Sequence, residues 1–173
     1  MSTSDYKLDA LKAKEKLKTV SPSMCLAKWN QTSLHLPTGL TNSCYHPPLH
    51  KMDAEAVKKN PAALHNTQEK LNQRQQMLQG EQPEGCSYCW NMEKTGEMSD
   101  RHYRSGEPWA MQDFEDIRKN PIDEHWTPRY VEVNFNNACN LQCSYCSPQF
   151  STKWGKEIDR YGQYPTSPPH NAP

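Results

Sequence analysis

Apolar side chains are sparse in this chain, and their spacing marks out short elements. Residues 129–135, Arg-Tyr-Val-Glu-Val-Asn-Phe, alternate apolar and polar positions and predict a β-strand. Gln31 to Leu36 alternates in the same way, Pro37-Thr38-Gly39 supplies a turn, and Leu40 to Cys44 returns, which predicts a hairpin. A helix is expected after Asn66 as N-cap, with Glu69 three residues on as in a capping box. Leu71 and Leu78 share its apolar face, Met77 lies beside them, and Gly80 ends it. Residues 53–59 suggest a short helix stopped at Asn60-Pro61. Residues 108–119 suggest another, with Trp109, Phe114 and Ile117 as its buried positions. A helical stretch is expected over residues 152–160.

Composition changes the picture. Leu, Ile, Val and Phe make up only about 13% of the chain, fewer than an ordinary core uses. The formal net charge is zero, so charge-driven disorder is not expected, and no basic excess points to a nucleic-acid groove. No apolar run reaches membrane-spanning length. The N-terminus lacks the apolar segment of a secretory signal, so a reducing, cytoplasmic location is expected. Residues 1–20, with Leu8, Leu11 and Leu17 among lysines, are expected to form a flexible arm.

Seven cysteines offset the thin core, and an odd number in a reducing compartment favours metal centres over disulfides. Cys139, Cys143 and Cys146 are spaced Cys-x3-Cys-x2-Cys directly after the expected strand. Three thiolates this close can hold three irons of a cubane [4Fe–4S] cluster and leave the fourth without a protein ligand. Zinc is the alternative, but structural zinc wants four ligands and none is obvious nearby. Cys25 and Cys44 flank the hairpin, whose pairing would bring them together, and Cys86-Ser87-Tyr88-Cys89 forms a compact knuckle. These four suit one fully ligated centre, either an iron–sulfur cluster or structural zinc. His46 and His50 are possible stand-in ligands. Trp29, Trp90, His102 and Arg104 are candidates for packing around it.

The cysteine triple, with aromatic Tyr145 just before its last member, resembles the signature of the radical S-adenosylmethionine (radical SAM) superfamily. Strand, cysteine loop and helix follow in the order in which that family's barrel opens. Hairpin, helix and Cys-x2-Cys resemble the twitch module, a shortened relative of the SPASM domain that carries an auxiliary [4Fe–4S] cluster. That module usually follows the barrel, whereas here it precedes it. The resemblance implies an oxidoreductase-type enzyme in which the open iron of a cluster on Cys139, Cys143 and Cys146 binds SAM. The cluster would cleave SAM reductively to a 5′-deoxyadenosyl radical. It implies a place for Tyr145 beside the adenine, and for Asn134, Asn136 and Asn137 around the loop. It also implies a second cluster or zinc on Cys25, Cys44, Cys86 and Cys89, an electron donor such as a flavodoxin or ferredoxin, and a peptide or protein substrate. No catalytic side chain is named by it.

The fold class expected is therefore α/β: a hairpin-plus-helix metal module over residues 21–105, a linker helix in residues 106–128, and the first strand–loop–helix of a partial (β/α)6 barrel over residues 129–160. Residues 161–173, rich in Pro, Gly, Gln and Ser, are expected as a disordered tail. Only 27 residues follow Cys146, so the chain reads as truncated after the first barrel strand and cluster loop.

Overall fold

The computed structural model describes residues 3–148 and 150–163. The protein is α/β, with a small mixed four-stranded open sheet and helices around it. The strands are β1 (Gln31–His35), β2 (Leu40–Asn42), β3 (His50–Lys51) and β4 (Tyr130–Asn134), in the order β3-β2-β1-β4. The backbone N–H of Arg129 donates to Asn30 C=O, and that of Leu36 donates to Asn134 C=O, so β1 and β4 run parallel. β2 and β3 are antiparallel, with Leu40 opposite Lys51 and Thr41 opposite His50. The hairpin was legible in the alternation. β3 is only two residues long and left no alternation to read.

The chain divides into two compact units. One is drawn from Met1–Leu34 and Gly39–Glu132, the other from His35–Thr38 and Val133–Pro173. The first unit's helices are α1 (Thr3–Lys18), α2 (Ala27–Asn30), α3 (Ala54–Lys59), α4 (Gln68–Leu78), α5 (Ser87–Lys94), α6 (Asp100–Gly106), α7 (Pro108–Met111) and α8 (Phe114–Lys119). Its core joins Leu17, Met24, Leu26, Trp29, Met77, Trp90, Phe114 and Ile117, and three cysteines, Cys25, Cys86 and Cys89, are part of it.

Three expectations change here. The first twenty residues are not a free arm: α1 packs along α6 and buries Ala10, Ala13 and Leu17. Its inner face is built mainly of alanines, which a search for large apolar residues passes over, while Leu8 and Leu11 stay exposed. Close approach is what the small residues permit. A Cβ at Gly106 would stand 3.0 Å from the backbone of Asp9 and Ala10. The expected linker helix is two short helices, α7 and α8, and belongs to the core through Ala110, Phe114 and Ile117. Between them Asp113 is buried and accepts from both Arg129 Nε and Arg129 Nη2 at 2.7 Å. The N-cap of α4 is Thr67, whose hydroxyl accepts from Lys70 N–H, rather than Asn66. Asn66 instead ties α4 to a distant loop. Its amide donates to Glu124 and Trp126 carbonyls, and its oxygen accepts from Arg74. The short helix over residues 53–59 is found as α3, capped by Asp53.

In the second unit β4 leads into a loop and then into α9 (Thr152–Tyr161), close to the expected strand and helix. Further barrel strands are not seen among the described residues. Tyr161 closes α9 rather than opening a tail, and the remainder of the expected tail, from residue 164 on, lies outside the described residues.

Candidate metal centres

The structure brings Cys25, Cys44, Cys86 and Cys89 to the wall of one cavity, from three parts of the first unit. Cys25 precedes α2. Cys44 follows β2. Cys86 and Cys89 sit on the entry to α5: the chain makes a 3-10 turn over Glu84–Cys86, and Cys89 follows within the first helical turn. Three residues apart on a helix is nearly one turn, so both thiols face the same way. Trp90 seats this turn through its indole N–H, which donates to Pro83 C=O at 2.9 Å. All seven cysteines are free thiols.

The other wall residues include Lys28, Tyr45, His46, Met77, Trp90, Asp100, Arg101 and Arg104. Of the expected packing residues, Trp90 and Arg104 line the cavity. Trp29 is fully buried in the core behind it, and His102 serves α6, where it completes a capping box with Ser99. His46 reaches the cavity, but its Nε2 lies 2.8 Å from Asp100 Oδ2 and its ring stacks on Tyr88 with centroids 3.9 Å apart. His50 is elsewhere, with Nε2 2.8 Å from Thr67 Oγ1. Lys28, Asp100 and Arg101 were not anticipated. A lysine or arginine in sequence reads as surface, and nothing in the spacing marks Lys28 and Arg101 as buried.

Burial governs the thiols. Desolvation raises the Cys25 pKa, with the neighbouring Cys86 adding to it. Desolvation pushes Cys44 up to about 11 and Cys89 up to about 12. Metal-free, these sulfurs therefore hold their protons at neutral pH. A metal must displace those protons, and its own charge supplies the compensation that the thiolates lack. Among the described residues no group of three or more His, Cys, Asp or Glu side chains stands placed to hold a metal ion. The four cysteines line one cavity.

The second unit holds Cys139, Cys143 and Cys146 on the loop between β4 and α9, all half-buried. Backbone and capping bonds fix the loop to the helix entrance. Asn137 C=O accepts from Thr152 N–H at 2.8 Å, and Cys139 C=O accepts from Lys153 N–H at 3.3 Å. Ser151 caps α9 by accepting from Trp154 N–H, and its hydroxyl donates to Leu141 C=O at 2.8 Å. Trp154 Nε1 donates to Cys143 C=O at 3.0 Å. Asn136 caps its own turn, its Oδ1 accepting from Ala138 N–H at 2.9 Å. Tyr145 is 88% exposed and hydrogen-bonds Cys143, a contact that raises its pKa. Beside Cys139 lies a cleft of about 310 Å³ lined by Ala138, Asn140, Thr152, Lys153 and Lys156.

Among the described residues no helix is long and apolar enough to cross a membrane. The chain matches no protein-family description, no curated protein and no solved structure.

Proposed function

We propose that this chain is an iron–sulfur protein of radical SAM type. In this reading Cys139, Cys143 and Cys146 hold a [4Fe–4S] cluster with one open iron, and Cys25, Cys44, Cys86 and Cys89 hold an auxiliary one. The observation that carries the reading is the gathering of the four separated cysteines on one cavity wall. The cysteine pattern predicts this arrangement, with all four sulfur-bearing residues meeting at one cavity rather than spread through the core.

The three-cysteine loop supports the same reading. A three-thiolate set leaves one metal position for an outside ligand, as reactive metal sites do. Its loop is held from behind by Ser151, Thr152 and Trp154, so the sulfurs are positioned while the Tyr145 side remains open. Lys153 and Lys156 in the neighbouring cleft suit a carboxylate such as that of SAM. When bound, such a cluster supplies the electron that splits SAM to a 5′-deoxyadenosyl radical. This chain's residues ligate, orient and shield it. The strand–loop–helix of β4 and α9 is then the opening of a TIM-like barrel. A flavodoxin or ferredoxin would supply the electron, and a peptide or protein is the proposed substrate class.

The test is anaerobic reconstitution of the full chain with iron and sulfide, followed by EPR of the reduced protein with and without SAM. About eight irons per chain and one SAM-responsive signal are expected. Stoichiometric zinc without sulfide would leave a zinc-stapled interaction module in its place.

A further inference from the structure

The first unit contains buried basic side chains with no acid to pair them. Lys28 is 2% exposed, and Lys70 and Arg74 are fully buried. Among the described residues, none of the three has a carboxylate within ion-pair distance. Lys28 Nζ donates to Gln73 Oε1 at 2.6 Å. Lys70 Nζ donates to the hydroxyls of Thr32 and Thr41 at 2.8 and 2.9 Å. Arg74 donates to the Lys28 carbonyl and to Asn66 Oδ1. All these acceptors are neutral. The nearby carboxylates are engaged elsewhere: Glu93 with Arg101, Glu107 with Arg104, Asp113 with Arg129, Asp100 with His46, and Glu69 with the Gln73 amide. A longer-range attraction from Asp123 reaches Arg74.

Burying an unpaired ammonium group is costly, so an uncompensated group of this kind is not kept without a reason. The geometry supplies one. Lys28 lines the cavity with the four thiols, and its charge acts on both Cys25 and Cys44. Lys70 and Cys44 act on one another as well. Four thiolates around a metal centre are the missing anion.

We infer that Lys28 is the built-in counter-charge of the four-cysteine centre and holds its reduction potential up, making that centre an electron acceptor rather than an inert staple. The inference rests on the iron–sulfur reading of these four cysteines. One electron from an external low-potential donor takes a [4Fe–4S] centre with four thiolates from a charge of two minus to three minus. No bond is made or broken and no proton moves. A fixed positive charge at the cavity wall stabilises the three-minus form more than the two-minus form, and the low dielectric of the interior enlarges that difference. Lys28 is a positioning residue in this scheme, acting through the field it imposes.

The experiment uses the full chain carrying Cys143→Ala, reconstituted with iron and sulfide, so that only the four-cysteine centre gives a signal. Its midpoint is measured by EPR-monitored titration with dithionite. Lys28→Met removes the charge and keeps the shape, while Lys28→Arg keeps the charge. Lys28→Met should make reduction at least tenfold less favourable, about 59 mV for one electron, and Lys28→Arg should stay within about threefold. Glu107→Gln, at a partly exposed position, frees the charge of Arg104 at the cavity wall and should make reduction easier. It gives an answer even if Lys28→Met does not fold. Iron bound with an unmoved midpoint in these variants overturns the counter-charge inference alone. Zinc, or no metal, in the parent protein overturns the iron–sulfur reading and this inference together.

Discussion

The four cysteines of the first unit and the three of the second differ in what surrounds their sulfurs. Three of the four are core residues, desolvated and backed by Lys28. The three sit half-buried on a loop whose backbone is tied to the entrance of α9 and whose Tyr145 side is open. A buried set with four donors can complete a centre by itself. A loop with three donors can present one. In the function proposed above, the difference would separate two jobs for the same element: holding charge inside the protein, and offering a metal to something outside it.

The widest separation should come from removing one ligand of each kind. Metal binding to a four-cysteine site is itself folding free energy, on the order of 10 kcal/mol in structural zinc peptides. Cys86→Ala should therefore remove the buried centre and lower the thermal midpoint of the loaded protein sharply. Cys143→Ala should abolish the SAM-responsive EPR signal and leave that midpoint nearly unchanged. Equal destabilisation by both would end the distinction.

The pH dependence of the metal-free protein gives a second contrast. Unfolded thiols titrate near about 8.5, whereas folded Cys44 and Cys89 lie at about 11 and about 12. Between these values the folded chain holds more protons than the unfolded one, so stability is full below pH 8.5 and is lost as pH rises towards 12. Lys70 acts on the other side. Burial lowers it to about 6, so the unfolded chain binds more protons from there up to about 10.4, and stability falls as pH drops through that range. Thermal melts should place maximal metal-free stability near pH 8.5. Loading the site should flatten the alkaline limb, because the sulfurs are then already thiolates.

Smaller effects test the scaffold. Gly106→Ala forces a methyl group against the Asp9–Ala10 backbone and should cost about 1–3 kcal/mol in denaturant unfolding. A cost near zero would mean that α1 does not hold its place on α6. Thr67→Ala removes the N-cap of α4, which carries Lys70 and Arg74, and should cost about 1 kcal/mol.

What the sequence disclosed followed from strong local rules. Alternation located β1 and β4, the proline and glycine of the turn located the hairpin, and cysteine spacing located both groups of thiols. What it concealed depended on partners far along the chain. Ala10 and Ala13 carry no apolar signal until α6 lies against them. Lys28, Lys70 and Arg74 read as solvent-facing residues, and their burial follows from Gln73, Thr32, Thr41 and Asn66 meeting them in space. The N-cap of α4 was misplaced by one residue because Asn66 and Thr67 are both good caps, and Asn66 is drawn off by Arg74, Glu124 and Trp126. The radical SAM chemistry remains a reading of the cysteine pattern and its surroundings.

The parallel pairing of β1 with β4 has a consequence for how the chain comes to be folded. Its registering bond joins Asn30 to Arg129, so nearly a hundred residues must be made before one edge of β1 finds its neighbour. Contacts this remote in sequence close slowly, because the loop entropy is lost before the contact repays it. Three of the four cysteines, Cys44, Cys86 and Cys89, lie inside that loop, and Cys25 stands just before it. During synthesis they emerge, and can meet one another, while β1 is still an open edge. If they hold the proposed centre, it would form before the sheet is complete, and its ligands would act as the early anchor around which the later strand is set.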